Sequence, residues 1–453
     1  MQIRLPDKVN KVIETLTSAG YEAYAVGGCV RDSVLGRVPN DWDITTSARP
    51  EETKRLFPRT IDTGIKHGTV TVMLDQEGFE VTTYRIDGDY EDNRHPKEVT
   101  FTANLEEDLK RRDFTVNAMA YNEQSGLVDI FGGVRDIEQG VIRCVGNAED
   151  RFTEDALRML RAVRFSAQLG YRIEDKTKQA IRKLAPNLQM ISAERIQAEL
   201  VKLVTSKHPD YLRTAYETGI TQQVLPEFDK CMETAQNNPH HCYSVGEHIL
   251  HSMLGTAPDK VLRLGMLFHD IGKPQTLTID ERGITHNKGH AETGEKMTKE
   301  ILRRLKFDNN TIDKVSKIVL YHDREIGPTN SSVRRAVNRI GEDVFPMLFA
   351  VRYADILAQS DYRREEKLQR LAYIKEIYEG ICRRQECLSL KSLAVTGSDL
   401  MALGMPAGKE IGVLLKELLE IVLEEPERNT REELLSICKE RIQENMCDIL
   451  PQH

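Results

Sequence analysis

Residues 25–46 read AVGGCVRDSVLGRVPNDWDITT, and this stretch decides the fold of the first part of the chain. A β-rich run ends in a glycine pair whose second member is Gly28, a helical pattern follows with Arg31, and an extended segment then carries Asp41 and Asp43. Glycines let the backbone approach a ligand closely, and the amides of a helix N-terminus favour an anion such as a triphosphate. Alternation along an extended segment places Asp41 and Asp43 on one face, where paired carboxylates are suited to hold Mg²⁺.

Each signal has an ordinary explanation when it stands alone, since a glycine pair is usually a turn and a D-x-D sequence is usually a solvated strand edge. Their combination within one strand–helix–strand unit is more specific, and it predicts phosphoryl-type transfer with two metal ions. Glu80, in FEVTTYR, is a candidate third carboxylate, with an exposed strand glutamate as the alternative. Arg111 and Arg112, in EDLKRRDFTVNA, are candidate phosphate ligands, with a solvated basic face as the alternative.

The pattern of the chain changes near residue 150. Before it, the β-rich runs YEAYAVGG, TVTVML and FEVTTYR alternate with the helical patterns CVRDSVLG and PEETKRLF. After it, segments such as EDALRMLRAVRFSAQLG and SAERIQAELVKLV have apolar residues three and four apart, as amphipathic helices do. The predicted fold class is α+β, with a small mixed α/β head followed by an all-α remainder.

The bulk composition narrows the class of protein. With 453 residues, the chain is too long for one ordinary core. No apolar run approaches the roughly 20 residues that span a bilayer, and the N-terminus lacks a signal-peptide pattern, so no membrane partner is expected. The eight cysteines are scattered without a CxxC pair, which predicts a reduced, cytoplasmic protein. A net charge of −8 argues against nonspecific coating of nucleic acid but allows a local basic surface.

Two further patterns carry candidate sites. In EDALRMLRAVRF, at 154–165, an aspartate and an arginine three residues apart share a helix face and open a row of arginines, with a surface ion pair as the alternative. Between residues 240 and 360, histidines and carboxylates recur in YSVGEH, LFHDIGKP, GHAE, YHD and YADI. Such side chains on several helices suit a transition-metal or Mg²⁺ site, whereas a single buried histidine is usually structural.

The motifs GGCVRD, DWD, RRDFTVNAMA and EDALRMLRAVRF, in this order, resemble the class II tRNA nucleotidyltransferases and bacterial poly(A) polymerases of the polymerase-β superfamily. The match runs over about residues 21–230. The resemblance implies that Asp41 and Asp43 hold the catalytic metals. It also implies a nucleotide-binding set of Gly28, Arg31, Arg112, Asp155, Arg158, Arg161 and Arg164.

Within that set, the resemblance gives Asp155 and Arg158 the reading of the base. Cytosine and adenine share one edge, an exocyclic amine beside an unprotonated ring nitrogen. A carboxylate that accepts from the amine and an arginine that donates to the nitrogen select both bases together. One residue pair is therefore able to serve CTP and ATP without a template.

The pattern at 240–360 resembles the HD superfamily of metal-dependent phosphohydrolases. The ligands that the resemblance implies are His248, His269, Asp270 and Asp355, with His290 and His322 as candidates for a second ion. The metal of this domain would be Mn²⁺, Ni²⁺ or Mg²⁺. The signal is strong for the domain and weaker for its activity, because such domains can keep the fold without catalysis.

Two more stretches distinguish tRNA-tail from poly(A) addition. YRIDGDYEDNRHPKEVTFTANLEEDLKRRD, at 84–113, resembles the flexible loop of enzymes that add all three nucleotides, with a plain surface connection as the alternative. TGSDLMALGMPAGKEIGVLLKELLEIVLEEPERNTREELL, at 396–435, resembles the tail of bacterial CCA-adding enzymes. The expected function is addition of CCA to the tRNA 3′ end from CTP and ATP with Mg²⁺. Poly(A) synthesis, CC-only or A-only addition, and an HD phosphohydrolase acting on RNA 3′-end or cyclic phosphates remain alternatives.

The expected domains follow from these matches. They are a nucleotidyltransferase head at 1–148, a helical neck that selects nucleotides and binds RNA at 149–232, an HD domain at 233–380, and a helical tRNA-binding tail at 381–453.

Overall fold

The computed structural model describes residues 2–87 and 99–447. The chain divides into two compact units, one formed by the residues up to Lys230 with Arg303–Phe307, and the other by Cys231–Leu302 with the residues from Asp308 onward. The prediction of a long loop at 84–113 falls partly on residues 88–98, which lie outside the described residues. No described helix has the length and apolar composition needed to cross a membrane.

The first unit begins with a mixed sheet, which confirms the predicted α/β head. Its seven strands lie in the order Thr60–Gly64, Thr69–Leu74, Glu77–Thr83, Ile44–Thr46, Ala23–Val26, Ala120–Asn122 and Gly126–Val128. Neighbouring strands are antiparallel except for Ile44–Thr46 and Glu77–Thr83, which run parallel. A separate two-stranded pair joins Arg85–Asp87 to Val99–Phe101. The helices of the head are Asp7–Ser18, Gly28–Val34, Pro50–Leu56, Leu105–Lys110 and Gly133–Glu138.

The sheet forms where the sequence pattern predicts it, because the β-branched runs have one apolar face. In the strand Thr69–Leu74, Val70 and Val72 are fully buried, while the alternate threonines remain half-buried. The strand Ala23–Val26 is buried throughout, as a central strand between two neighbours should be.

Helices dominate after residue 147, which confirms the predicted helical remainder. Those of the first unit are Ala148–Glu154, Leu157–Leu169, Asp175–Leu184, Ala193–Val204, Leu212–Glu217 and Ile220–Val224, and Pro226–Glu233 crosses the division between the units. Those that follow are Val245–Leu254, Lys260–Phe268, Lys273–Thr276, His290–Arg304, Asn309–Tyr321, Asn330–Ile340, Phe345–Ala358, Arg364–Arg383, Gly397–Ala402, Lys409–Glu424 and Arg431–Cys447.

Two small strand pairs interrupt the helical part. Val141–Ile142 pairs in parallel with Arg172–Ile173, and Thr278–Ile279 forms a hairpin with Thr285–His286. In the hairpin turn, the Asp280 side chain accepts from two backbone amides, and Gly283 supplies a positive φ of 77°. These short pairs have too few residues to show a strand periodicity in the sequence.

Candidate active site and metal centre

The two aspartates of the D-x-D sequence precede a strand of the head sheet. Asp43 lies immediately before Ile44–Thr46, and its carbonyl oxygen accepts from the Val26 amide at 2.9 Å. The parallel register sets Ile44 opposite Val81, so Glu80 lies beside Asp43 at the start of the paired stretch. The sequence predicts the two aspartates at the start of an extended segment, and in the structure they lie in the connection that leads directly into the strand Ile44–Thr46.

The charges of these three carboxylates act on one another, and we call Asp41, Asp43 and Glu80 the carboxylate cluster. Withdrawal from water raises the pKa of Asp43, and the negative charge of Asp41 raises it further, while Arg112 lowers it. The pKa of Glu80 is also raised by desolvation, then by Asp43 and Asp41. Carboxylates that destabilise one another in this way become favourable when a cation neutralises them.

The glycine pair and two arginines lie next to this cluster in the head. Gly27 has a φ of 83°, and a Cβ atom on it would come within 3.1 Å of the Arg112 Nη1 atom, so a larger residue would displace that guanidinium. Arg31, on the helix that starts at Gly28, donates to the Asn117 side-chain oxygen at 2.7 Å. Arg112 pairs with the fully buried carboxylate of Asp108 at 3.4 Å.

The two residues with the implied base-reading role have separate partners in the structure. The Asp155 carboxylate lies 2.7 Å from the Arg195 guanidinium, and its other oxygen accepts from the Leu157 amide at 3.1 Å. Arg158 pairs with Glu154 at 2.6 Å and also donates to the Arg111 carbonyl at 3.2 Å. Neither Arg195 nor Glu154 was predicted as a site residue from the sequence, although SAERIQ places an arginine at the start of a helix.

Arg161 and Arg164 are engaged with buried acids. Arg161 donates to the Asp113 carboxylate at 2.8 Å, and Arg164 lies 2.5 Å from Glu199, whose side chain is only 6% exposed. Burial alone would raise the pKa of Asp113, but the Arg161 guanidinium holds it below its usual range. Both arginines are therefore neutralised within the first unit.

Phe165 is a further residue that the sequence analysis did not single out. Its ring has three guanidinium groups around it, with Arg164 at 3.8 Å and Arg31 and Arg161 at 5.4 Å from the centroid. Cation–π attraction stabilises such an arrangement. The ring thereby joins the head helix that carries Arg31 to the helix Leu157–Leu169.

The second unit brings together all six predicted HD ligands, and we call them the histidine–aspartate cluster. They are His248, His269, Asp270, His290, His322 and Asp355. Nε2 of His248 lies 2.9 Å from an Asp355 carboxylate oxygen and 3.2 Å from Nε2 of His269. Nε2 of His269 is 3.3 Å from Oδ2 of Asp270. The other oxygen of Asp270, Oδ1, lies 3.5 Å from Nε2 of His290 and 3.7 Å from Nε2 of His322.

Asp270 therefore stands between two groups of histidines. Its carboxylate faces His248 and His269 with one oxygen, and His290 and His322 with the other. Each group has ligand atoms within 4.8 Å of one another. A carboxylate in this position is suited to bridge two metal ions.

The tautomers of the four histidines also fit metal binding. Each Nδ1 atom faces a backbone carbonyl: that of Ala358 at 3.3 Å from His248, Met266 at 2.7 Å from His269, Asn287 at 2.9 Å from His290, and Val319 at 2.7 Å from His322. With the proton on Nδ1, every Nε2 lone pair points into the cluster, which is how backbone carbonyls orient metal-binding histidines. The donor set therefore fits one or two transition-metal ions.

Three family models match the chain. "Poly A polymerase head domain" matches residues 23–143, "Probable RNA and SrmB- binding site of polymerase A" matches 170–232, and a model for "tRNA nucleotidyltransferase domain 2" matches 281–438.

Curated relatives of the chain are named CCA-adding enzymes. The protein from Enterococcus faecalis is 34% identical over 432 residues, which cover 95% of each chain. The protein from Lactiplantibacillus plantarum is 54% identical over 198 residues, or 44% of this chain and 49% of the relative. The chain spans about half the length of several curated relatives that it matches, including the protein from Lactiplantibacillus plantarum.

Solved structures extend the similarity over the whole chain. The Bacillus stearothermophilus CCA-adding enzyme in complex with CTP has a TM-score of 0.74 and 30% identity, and the match covers 98% of this chain and all of the other. The Thermotoga maritima CCA-adding enzyme complexed with tRNA has a TM-score of 0.54 at 21% identity, which supports the fold alone.

Proposed function

We propose that this chain, which belongs to the family of the CCA-adding enzymes, adds cytidine and adenosine nucleotides to the 3′ end of tRNA from CTP and ATP. The observation that carries the proposal is the carboxylate cluster, in which the sheet register sets Glu80 beside Asp43, and burial and the charge of Asp41 raise the pKa of both. Similarity to a CTP-bound relative over its entire length supports the same function.

Nucleotidyltransferases of this family use divalent metals, and we propose Mg²⁺ as the ion. Asp41 and Asp43 would hold it, with Glu80 as the third carboxylate, because hard oxygen donors are what Mg²⁺ prefers. When bound, the ions activate the attacking hydroxyl and neutralise charge on the leaving group. Arg31 and Arg112 would bind the triphosphate, since arginine forms paired hydrogen bonds with phosphate oxygens. In the transfer, the 3′ oxygen bonds to the α-phosphorus, the α–β bridge bond breaks, and pyrophosphate leaves.

The choice of nucleotide is assigned to Asp155 and Arg158. The carboxylate would accept from the exocyclic amine of cytosine or adenine, and the guanidinium would donate to the adjacent ring nitrogen. Arg195 would keep the carboxylate in one orientation, and Glu154 would do the same for the arginine. Arg161 and Arg164, which pair with buried acids, would support the same helix.

The remaining helices would hold the RNA. We assign the head to 1–148, the nucleotide-selecting neck to 149–232, the HD domain to 233–380 and the tRNA-binding tail to 381–453. Double-stranded RNA is recognised by its backbone and shape, which suits helical surfaces of this kind. Cys29, Cys144, Cys387 and Cys438 are buried free thiols, in keeping with a reducing cytoplasmic location.

Replacement of Asp41 or Asp43 by alanine tests the transfer site. Each variant should lose nucleotide incorporation at saturating Mg²⁺ while keeping the wild-type unfolding temperature or a higher one. Asp62→Ala is the matched control, because Asp62 lies in the same head and pairs with Lys54 at its surface. Retained incorporation by Asp41→Ala or Asp43→Ala would remove the basis of the assignment.

A second function is favoured by the histidine–aspartate cluster. We propose that it binds divalent metal and hydrolyses a phosphoester, with 2′,3′-cyclic phosphates and 2′-nucleotides as the first substrates to test. Water oxygen would bond to phosphorus, the ester P–O bond would break, and the proton would pass to the released alcohol. Such an activity would complement the transfer reaction, since an RNA 3′ end blocked by phosphate has no free nucleophile.

A further inference from the structure

A fully buried carboxylate, that of Asp108, contacts both arginines of the sequence RRD in the head. Asp108 belongs to the helix Leu105–Lys110, and its side chain has no exposed surface. Arg111 and Arg112 follow it by three and four residues, so all three lie on one side of the chain. A charge withdrawn from water is costly unless it is paired and hydrogen-bonded, so the partners of Asp108 decide its effect.

Hydrogen-bond donors surround both oxygens of this carboxylate. Oδ1 accepts from Arg111 Nε at 3.0 Å and Nη2 at 2.8 Å, and from the Arg85 backbone amide at 3.4 Å. Oδ2 accepts from the Thr45 hydroxyl at 3.2 Å and from Arg112 Nη2 at 3.4 Å. Burial alone would raise the pKa of Asp108, but Arg111 and then Arg112 hold it below its usual range. The carboxylate is therefore charged at neutral pH, and two guanidinium groups share it.

The partners of Asp108 connect it to three parts of the proposed transfer site. Thr45 follows the metal-binding Asp43 by two residues, on the strand that this segment enters. Arg112 is a proposed ligand of the triphosphate. The Arg111 carbonyl oxygen accepts from Arg158, the proposed base-reading arginine, at 3.2 Å. One buried carboxylate thus links the metal-binding segment, the phosphate ligand and the base reader.

Arg112 has a donor that its protein contacts leave unused. Its Nη2 atom pairs with Asp108, and its Nη1 atom would lie 3.1 Å from a Cβ atom on Gly27. Its Nε atom is buried and has no hydrogen-bond partner among the residues that the structure describes. A buried donor without an acceptor is costly, and a triphosphate oxygen would supply the acceptor.

Two carboxylates attract the Arg112 guanidinium. It pairs with Asp108 at 3.4 Å, and its charge also acts on Asp43. A guanidinium that moved toward Asp43 would compete there with a metal ion, since both neutralise the same carboxylate. The charge of Asp108 opposes that movement, because it attracts Arg112 to its present position.

We propose that Asp108 is a positioning residue of the transfer site, which holds Arg112 ready for the triphosphate and apart from the metal-binding carboxylates. The inference rests on the proposed transfer function and deepens it, because it names the residue that sets the position of Arg112. Asp108 is buried and does not touch the nucleotide, so its effect passes through Arg112. This dependence distinguishes it from a residue that only supports the fold.

Binding of CTP tests the positioning role without any transfer step. Calorimetry would use the full chain with Mg²⁺ and without tRNA. Asp108→Asn should weaken CTP binding by about tenfold or more, the loss expected when one charge-assisted contact with the phosphates is misplaced. It should weaken CMP binding less, because CMP lacks the β and γ phosphates. Asp108→Glu keeps the charge and should restore part of the affinity.

Asp136→Asn is the matched control for a general loss of stability. Asp136 is equally buried in the head and pairs with Arg143 at 3.0 Å. Its replacement should lower the unfolding temperature and leave CTP binding unchanged. Equal weakening of CTP binding in Asp108→Asn and Asp136→Asn would overturn the inference, since any buried charge in the head would then have the same effect.

A double variant decides whether Asp108 acts through Arg112. Asp108→Asn combined with Arg112→Ala should bind CTP as weakly as Arg112→Ala alone, because no guanidinium remains to be positioned. Losses that add in the double variant would contradict the positioning role, as would wild-type CTP affinity in Asp108→Asn.

Thermal unfolding supplies a readout for the metal site. Asp108→Asn should need several times more Mg²⁺ than the wild type for half of the maximal rise in unfolding temperature, because the released Arg112 would compete for Asp43. Addition of Arg112→Ala should abolish that increase. An unchanged Mg²⁺ requirement in Asp108→Asn would refute the proposed separation of Arg112 from the metal-binding carboxylates.

Extension of tRNA separates this inference from the function on which it rests. CTP binding that depends on Asp108 through Arg112, in a protein that extends no tRNA, would retain the positioning role and refute the transfer. Normal extension by Asp108→Asn with the wild-type KM for CTP would retain the transfer and overturn the positioning role.

Discussion

The Asp155 carboxylate lies 2.7 Å from the Arg195 guanidinium. Arg195 belongs to the helix Ala193–Val204, whereas Asp155 has an extended conformation between the helices Ala148–Glu154 and Leu157–Leu169, so it does not share a helix with Arg158 as the sequence predicted. This ion pair restricts rotation of the Asp155 carboxylate, and the second carboxylate oxygen accepts a hydrogen bond from the Leu157 amide. A base-reading carboxylate gains specificity when its orientation is set before the nucleotide arrives, because it then pays no ordering cost on binding. From the proposed base-reading role of Asp155, we expect Arg195 to act as a positioning residue for nucleotide choice.

Replacement of Arg195 by alanine should therefore weaken the preference for CTP and ATP over UTP. The expected change is an increase in KM for the correct nucleotides by about tenfold, the equivalent of one charge-assisted hydrogen bond. Lys202→Ala, an exposed change on the same helix, should have no effect. Steady-state kinetics with each nucleotide measures both, and an unaltered CTP-to-UTP ratio in Arg195→Ala would remove the positioning role.

Arg158→Ala should relax discrimination against UTP more strongly, since the arginine itself would contact the base. The expected loss is about 1–3 kcal/mol of discrimination. Arg158→Lys is the informative comparison, because it keeps the charge and loses the planar fork. Equal discrimination in the wild type and Arg158→Ala would show that the base is read elsewhere.

The raised pKa values of Asp43 and Glu80 predict that these two functional carboxylates lower the stability of the folded protein, and that the size of this effect depends on pH. A carboxyl group whose pKa is higher in the folded than in the unfolded protein destabilises the fold above that pKa, and this effect disappears at lower pH, where both states are protonated. Asp43→Asn should therefore raise the unfolding temperature at neutral pH in EDTA, and the gain should shrink as pH falls through the raised pKa.

Added Mg²⁺ provides the control for that experiment. It should stabilise the wild-type protein and raise its unfolding temperature, whereas Asp43→Asn should respond less, since a ligand is missing. Thermal unfolding with and without Mg²⁺ across the pH range measures both effects. An Asp43→Asn variant that is less stable than wild type in EDTA at neutral pH would contradict the prediction.

Replacement of Asp270 by alanine should separate the two proposed activities. The change removes the carboxylate that faces both histidine groups, so bound Mn²⁺ and phosphoester hydrolysis should both be lost, while CTP incorporation stays within about twofold of wild type. Asp343→Ala is the control, because Asp343 pairs with Lys314 at the surface of the same unit. Elemental analysis and the two activity assays measure the outcome, and equal loss of both activities would indicate a shared site or a folding defect.

Much of the fold could be predicted from the sequence, because the patterns that indicate helices and strands are local. The strand Thr69–Leu74 has the bounds of the predicted run TVTVML, and the helix Pro50–Leu56 ends one residue before the predicted run PEETKRLF does. The hairpin at Thr278–His286 could not be predicted in this way, because strands of two residues are too short to show an alternating pattern and only the turn residues indicate it. Local patterns therefore predict elements that are long enough to repeat.

Site residues could be nominated from motifs, but their partners could not. Arg195 lies forty residues from Asp155, and Glu199 lies thirty-five from Arg164, so their pairing depends on how helices pack. Contacts between residues so far apart in the sequence depend on the tertiary structure, which local sequence patterns do not reveal.

The most direct test of the central claim uses purified protein, Mg²⁺ and tRNA that lacks its CCA end, with labelled CTP or ATP supplied singly and together. The account predicts that CTP alone adds two residues, that CTP and ATP together add three and then stop, and that the product ends in CCA. Unlimited adenosine addition would identify a poly(A) polymerase, and arrest after CC with both nucleotides present, or addition to tRNA ending in CC alone, would identify a partial enzyme. Failure to extend the tRNA under all these conditions would contradict the proposed function outright.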